Sequence, residues 1–157
     1  MINDSKIEKK IVTALNACFK ERLISVSIFG SVARGEYSLN SDIDIFCIIE
    51  GLPTKPYKRK ILLNEAVSSH LEMPFTIIVK TKEEFISQFP PLYLDLGLDA
   101  KIIFDKDNFL RDRLRKIREI ISQAKLVRAK DGRDYFWQWQ GPHSHRWQMN
   151  WEGYSEF

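Results

Sequence analysis

The chain has 157 residues, of which 44% are hydrophobic and 29% charged, and its formal net charge is +3. That length fits one domain with a small appendage, and the apolar content suffices for a core. No apolar run approaches the roughly twenty residues of a membrane-spanning helix, and the polar start MINDSKIEKK lacks a signal core, so a cytoplasmic protein without membrane contact is expected.

Ser5 and Glu8 form a capping-box pattern ahead of Ile7, Ile11, Leu15 and Cys18, which step at helical intervals. In LISVSIF the residues Ile24, Val26 and Ile28 alternate with Ser25 and Ser27, the period of a strand, which stops at Gly30. Residues 31–41 read as a turn or short helix and a loop, and a strongly apolar strand runs from Asp42 to Ile49. The loop GLPTKP precedes a helix from Tyr57 to Leu71, and Pro74 introduces the strand FTIIV over 75–79. Thr81 and Glu84 cap another short helix that Pro90 and Pro91 end. A strand AKIIF over 100–104 leads into the longest helix, where Leu110, Leu114, Ile117, Ile121 and Ala124 mark the buried face.

Strands separated by helices predict an α/β (α+β) layered domain with a mixed sheet. After Gly132 the character changes, and all four tryptophans follow. Tyr135, Trp137 and Trp139 alternate with other positions, as do Trp147, Met149 and Trp151, with GPHSH between them as a turn. This predicts a C-terminal β-hairpin with one aromatic face, and hence a domain over 1–131 with a tail over 132–157 packed on it or at a subunit interface. Cys18 and Cys47 sit in apolar patterns and are read as reduced core residues. His70 reads as a structural histidine, and His143 and His145 as an exposed turn rather than a metal site.

Charge is unevenly spread. Between Arg111 and Lys130 stand eight Lys or Arg and only two acids, Asp112 and Glu119. The simplest reading is a solvated helix face; a polyanionic partner such as RNA is the alternative.

The chemistry concentrates in IFGSVARGEYSLNSDIDIFCII. On a strand, residues two apart share a face, so Asp42 and Asp44 stand side by side while Ile43 and Ile45 face the other way. Two adjacent carboxylates repel one another, and a divalent cation resolves the conflict; Mg²⁺ takes one or two carboxylates plus phosphate oxygens and water. Gly30 permits a tight turn and close approach of backbone N–H groups to an anion, Ser31 adds a hydroxyl donor, and Arg34 brings a fork of donors within reach of phosphates. Gly35 allows a further turn with positive φ.

Gly30-Ser31, ten intervening residues, then Asp42-Ile43-Asp44 resembles the signature of the DNA polymerase beta-like nucleotidyltransferase superfamily. Ala33-Arg34-Gly35 and Ser41-Asp42 are similar to its minimal nucleotidyltransferase branch. The resemblance is specific over 28–49 and looser over 5–105. It implies a mixed sheet with flanking helices and transfer of a nucleoside monophosphate, AMP from ATP being favoured, to a hydroxyl acceptor. Gly30 and Ser31 would hold the β- and γ-phosphates, and Asp42 and Asp44 would bind Mg²⁺ (or Mn²⁺) as catalytic ligands.

One position departs from the pattern. Active members present a third carboxylate from a later strand, and the residue that aligns here is Thr76, with Glu72 just upstream as the other candidate. Three readings follow. The first is a metal-dependent nucleotidyltransferase acting on a partner protein, for instance of the HEPN type in a toxin–antitoxin pair, on RNA or on a small molecule, with a partner or a homo-oligomer completing the site. The second is a degenerate binding module such as an antitoxin. The third is an RNA-binding domain using the basic helix and the tryptophan tail.

Overall fold

The run at 43–49 is too continuously apolar for a sheet with one wet face, and both faces are covered. In the run at 23–29 the alternating Ser25 and Ser27 are buried too, so that strand is covered on both sides where its period suggested one. A computed structural model describes residues 4–36, 38 and 40–157. Tyr37 and Leu39, in the loop expected over 31–41, lie outside the described residues, as do 1–3 of the expected 1–131 domain. Four strands, β1 (Leu23–Phe29), β2 (Ile43–Ile49), β3 (Phe75–Lys80) and β4 (Lys101–Asp105), form one sheet in the order β3-β2-β1-β4. β1 runs antiparallel to both β2 and β4, whereas β2 and β3 are parallel, so the sheet is mixed as expected.

Alternation along β2 assigns the faces. Ile43, Ile45, Cys47 and Ile49 pack with Val26 and Ile28 beneath α1 (Asp4–Phe19) and α3 (Pro56–Ser68). Phe46 and Ile48 join Ile24 on the other face, under α4 (Lys82–Ser87), α5 (Leu92–Asp99) and α6 (Phe109–Ala124). The short α2 (Gly30–Ala33) follows β1 directly. Among the described residues no helix is long and apolar enough to cross a membrane.

The predicted capping box at Thr81 forms, with the Glu84 amide donating to the threonine hydroxyl and the Glu84 carboxylate accepting from the Thr81 amide. The one at Ser5 does not. The helix already includes Asp4, which puts Ser5 inside its first turn, and Glu8 pairs instead with Lys101 at 2.5 Å. Cys47 is buried as expected, and burial pushes its thiol pKa up. Cys18 is exposed and free, because the buried stripe of α1 runs through Ile11, Ala14, Leu15 and Phe19 and passes it by one position.

α5 was not expected from the alternating LYLDLGLD, which mimics a strand. Gly97 allows it to lie close against α6: a Cβ there would sit 2.4 Å from Ile117 Cγ2. α6 buries every residue of its predicted stripe and Ile120 besides. Its first turn is held from β4, where the Asp105 carboxylate accepts from the Leu110 and Arg111 amides, each at 2.9 Å, and from Ser25 Oγ at 2.6 Å.

The C-terminal hairpin is two hairpins. β5 (Leu126–Asp131) pairs with β6 (Asp134–Trp139), and β7 (Trp147–Asn150) pairs with β8 (Gly153–Glu156). The turn signal that decides this is Asp131-Gly132, where Gly132 has φ 62°, rather than GPHSH. A boundary between 131 and 132 therefore cuts the turn of the first hairpin. The aromatic stripe divides accordingly. Trp151 packs on Phe85, Phe89 and Tyr93 and donates its indole N–H to the Phe85 and Gln88 carbonyls at 3.0 and 2.8 Å. Trp139, His143, Trp147 and Tyr154 form a separate cluster, with the His143 ring stacked 4.2 Å from that of Trp139.

The α5–α6 contact gives a test. Helix propensity alone favours alanine over glycine by about 1 kcal/mol. Yet the Cβ of Gly97→Ala meets the branched carbon of Ile117, whose χ1 is fixed in a helix. Overpacking wins, and urea titration should show Gly97→Ala destabilised by about 1–3 kcal/mol. A more stable variant would overturn the packing argument.

Candidate active site

β1 ends at Phe29, which lies opposite Asp44 on β2, so the turn after β1 closes over the start of β2. Gly30 makes that turn with φ 72°, a value that favours glycine. A second reason excludes any side chain: a Cβ on Gly30 would lie 2.2 Å from Asp44 Oδ2. The carboxylate of Asp44 thus occupies the space that the absent side chain leaves. Ser31 sits in the first turn of α2, and its carbonyl accepts from the Glu36 amide at 2.9 Å.

Asp42, just before β2, is exposed, and Asp44 is half-buried. Burial raises the Asp44 pKa, Asp42 raises it further, and only Arg34 opposes the shift. Asp44 is therefore a carboxylate kept short of solvent, beside a like charge. This is the electrostatic setting that a divalent cation relieves, so the residues fit such an ion.

Thr76 holds the register position beside Asp44 on β3, and parallel pairing puts both on one face of the sheet. It is exposed. Glu72 lies upstream of β3, is also exposed, and has no place in that register. Among the described residues no three His, Cys, Asp or Glu side chains come together as a metal site, so no third carboxylate joins Asp42 and Asp44.

Arg34 is placed differently from the free phosphate ligand the sequence suggested. Its Nη1 donates to Asp99 Oδ2 at 2.9 Å and its Nε to Glu36 Oε2 at 3.2 Å, with the guanidinium 4.5 Å from the Tyr135 ring centre. Asp99, at the end of α5, has a side chain only 5% exposed and also receives both terminal nitrogens of Arg128 at 2.7 Å. Those bonds raise the Arg128 pKa further. Tyr135 donates to the Glu36 carboxylate at 2.7 Å, holding that acid below the usual carboxylate range together with Arg34. Trp137 donates to Asp95 at 3.2 Å. The first C-terminal hairpin is thereby latched to the loop that follows Gly30 and Ser31.

Sequence reasoning missed this cluster, because Arg34, Asp99 and Arg128 lie far apart in the chain. It also counted Arg128 and Lys130 with the basic helix, whereas they lie on β5. On α6 itself Arg113 lies over the Trp151 ring at 5.2 Å, and Arg118 donates to the Gly97 carbonyl at 3.2 Å. The basic face is partly spent on internal packing.

With this geometry in hand, comparison with known proteins is informative. A family model described as a nucleotidyltransferase domain matches residues 8–129. A Methanocaldococcus jannaschii protein named "Putative protein adenylyltransferase MJ1305" is 32% identical over 116 residues, covering 69% of this chain and 77% of that one. Among solved structures, a chain from a crystal structure of a toxin–antitoxin with AMP-PNP aligns with a TM-score of 0.56 at 20% identity, covering 73% of this chain and 86% of that one. A chain from a tri-AMPylated Shewanella oneidensis HEPN toxin in complex with MNT antitoxin gives a TM-score of 0.52 at 17% identity, with 75% and 86% covered. The two structural likenesses speak for a shared fold.

The raised Asp44 pKa makes a prediction with a definite sign. An acid whose pKa is higher folded than unfolded is destabilising wherever it is ionised in both states, and neutral in effect below its unfolded value. Asp44→Asn should therefore raise the thermal midpoint at pH 7 in metal-free buffer. The gain should shrink as pH falls through the folded pKa and vanish below the ordinary carboxylate value. A variant less stable than the parent at pH 7 would refute the assignment of Asp44 as a strained carboxylate.

Proposed function

The chain belongs to the nucleotidyltransferase domain family, and from that premise we propose that it transfers AMP from ATP to a hydroxyl group of a partner protein. The observation that carries the reading is the Asp44 carboxylate, half-buried and held against the Gly30 turn beside the like charge of Asp42. Asp42 and Asp44 would hold Mg²⁺ or Mn²⁺. Bound there, the ion supplies charge neutralisation at the triphosphate and Lewis-acid polarisation of the α-phosphate.

The remaining work falls to this chain's own groups. Backbone N–H groups at the Gly30–Ser31 turn, with the Ser31 hydroxyl, face the β- and γ-phosphates. Arg34 is already charged and oriented; reaching a phosphate means exchanging one carboxylate partner for another anion. The acceptor oxygen attacks the α-phosphorus, the bond to the bridging oxygen breaks, and pyrophosphate departs. Thr76 cannot take the acceptor's proton as a carboxylate would, so that proton leaves to a group outside the Asp42–Asp44 pair. A protein acceptor is favoured by the name of the adenylyltransferase relative, and a HEPN-type partner by the AMPylated toxin complex of like fold. A cytoplasmic setting suits an enzyme that uses ATP and Mg²⁺.

A second reading has its own observation. The absence of a carboxylate at Thr76 favours a nucleotide-binding module that does not turn over, such as an antitoxin acting by contact.

Calorimetric titration with ATP and Mg²⁺, followed by incubation with α-labelled ATP and cell extract, separates the two. The transferase reading expects Mg²⁺-dependent ATP binding and a labelled protein product, with Asp42→Asn weakening Mg²⁺-dependent binding at least about tenfold and abolishing label. Binding without any product supports the module. Binding and labelling unchanged in Asp42→Asn would sink both.

A further inference from the structure

The sheet ends at β3. Among the described residues it pairs with β2 alone, so its outer edge has no strand to take its N–H and C=O groups, and such edges are templates for another strand. Beside that edge runs a groove of about 540 Å³ between β3 and α3. Phe75 and Val79 supply apolar lining, Thr76 stands at one end of the strand, and Arg59, Lys60 and Lys80 supply charge.

The charge has a direction. Arg59 is neutralised by Glu84 at 2.8 Å. Lys60 and Lys80 have no acid in salt-bridge contact among the described residues, and Lys55 and Lys58 are exposed at the start of the same helix. The groove is therefore positive, and its natural occupant is acidic. An acidic peptide and a nucleic acid both carry negative charge, but only an extended peptide matches the alternating donors and acceptors of a strand edge.

Register ties this edge to the carboxylates. Thr76 lies beside Asp44 and Lys80 beside Ile48, so these two side chains share the Asp44 face. Phe75, Val79 and Lys60 of α3 line the groove from the opposite face; an added strand, alternating between faces, meets both. A strand added outside β3 would lie about 10 Å from β2, two strand spacings away, with every second side chain on the Asp44 face. The loss of a carboxylate at Thr76 leaves that approach open.

We propose that the free edge of β3 is the docking site for an acidic, extended segment of the acceptor protein, which adds to the sheet as a fifth strand and presents a hydroxyl side chain on the Asp44 face. This rests on the reading that the acceptor is a protein. The segment gains main-chain hydrogen bonds from β3, and Lys60 and Lys80 select it by charge.

The test uses the full chain and a synthetic peptide of about eight residues, an ordinary strand length, in which glutamate alternates with valine and threonine. Amide hydrogen exchange should slow across 75–80 when the peptide is added. The double reversal Lys60→Glu, Lys80→Glu should weaken peptide binding about fivefold or more while ATP and Mg²⁺ affinity is retained. Methylating alternate peptide amides, which leaves charge intact, should abolish binding. No protection at 75–80, binding indifferent to amide methylation, or protection by single-stranded RNA in place of the peptide would each overturn the proposal. Loss of ATP binding alone, with peptide docking intact, would remove the transfer reading and leave the edge site standing. Loss of docking alone would do the reverse.

Discussion

A carboxylate with a side chain only 5% exposed must be paired, and Asp99 is paired twice, with Arg34 and with Arg128. Removing either arginine would leave a buried charge short of a partner, a change that costs several kcal/mol in comparable settings. The consequence is topological. Asp99 ends α5, Arg128 lies on β5, and Arg34 follows the turn at Gly30, so one buried anion joins the second helical layer, the C-terminal hairpin and the loop after α2. Tyr135 extends the join by lying between the two guanidinium groups, 4.5 and 4.7 Å from its ring centre, while its hydroxyl holds Glu36. The tail is thus a brace for the loop that carries Ser31.

That brace explains how a costly arrangement at Asp42 and Asp44 persists. Like charges beside one another, one of them half-buried, work against the folded state. The Gly30 turn cannot relax away from Asp44 while Arg34 is anchored to Asp99, and β2 is fixed by pairing on both sides. On the proposed reading a bound cation would relieve that strain, a common stability–function compromise. Arg34 then acts on the site in two ways. It lowers the Asp44 pKa from a distance, and it fixes the loop through contacts that point away from the carboxylates.

How much of this the sequence disclosed follows from sequence distance. Gly30-Ser31 and Asp42-Asp44 were legible because they lie at the end of β1 and the start of β2, two strands consecutive in the chain, and parity along β2 assigns the face of Asp44. The stripe of α6 was legible for the same local reason, as was the Thr81 capping box. Thr76 was singled out only through the family pattern, as the position aligned with a third carboxylate; its place beside Asp44 follows from pairing of β2 and β3 across the α3 crossover. What stayed hidden was set by partners distant in the chain. Asp99 gives no local hint of Arg34 or Arg128, and Asp105 caps α6 from a strand while also binding Ser25 across the sheet. LYLDLGLD has the apolar alternation of a strand, yet it forms a helix that packs on α6, with Gly97 lying close against Ile117. In the tail, the aromatic alternation was legible but its pairing was not, since Asp131-Gly132 outranked GPHSH as a turn and joined β6 to β5.

The replacement at Thr76 can be set against the rest of the sheet. A third carboxylate there would stand beside Asp44, the residue that burial and Asp42 already push toward the protonated state. Its absence lightens the electrostatic load on the apo fold. Under the proposed function, the acceptor side of the chemistry falls to whatever approaches the outer strand. The three features at that strand are consistent with one another: a neutral side chain where a carboxylate is expected, an edge without a partner strand, and lysines along the groove beside it. A chain that kept its own third carboxylate would repel an acidic partner at the very edge where these lysines attract one. On the proposed reading, a neutral Thr76 means one negative charge fewer for an acidic strand to meet at the edge of β3.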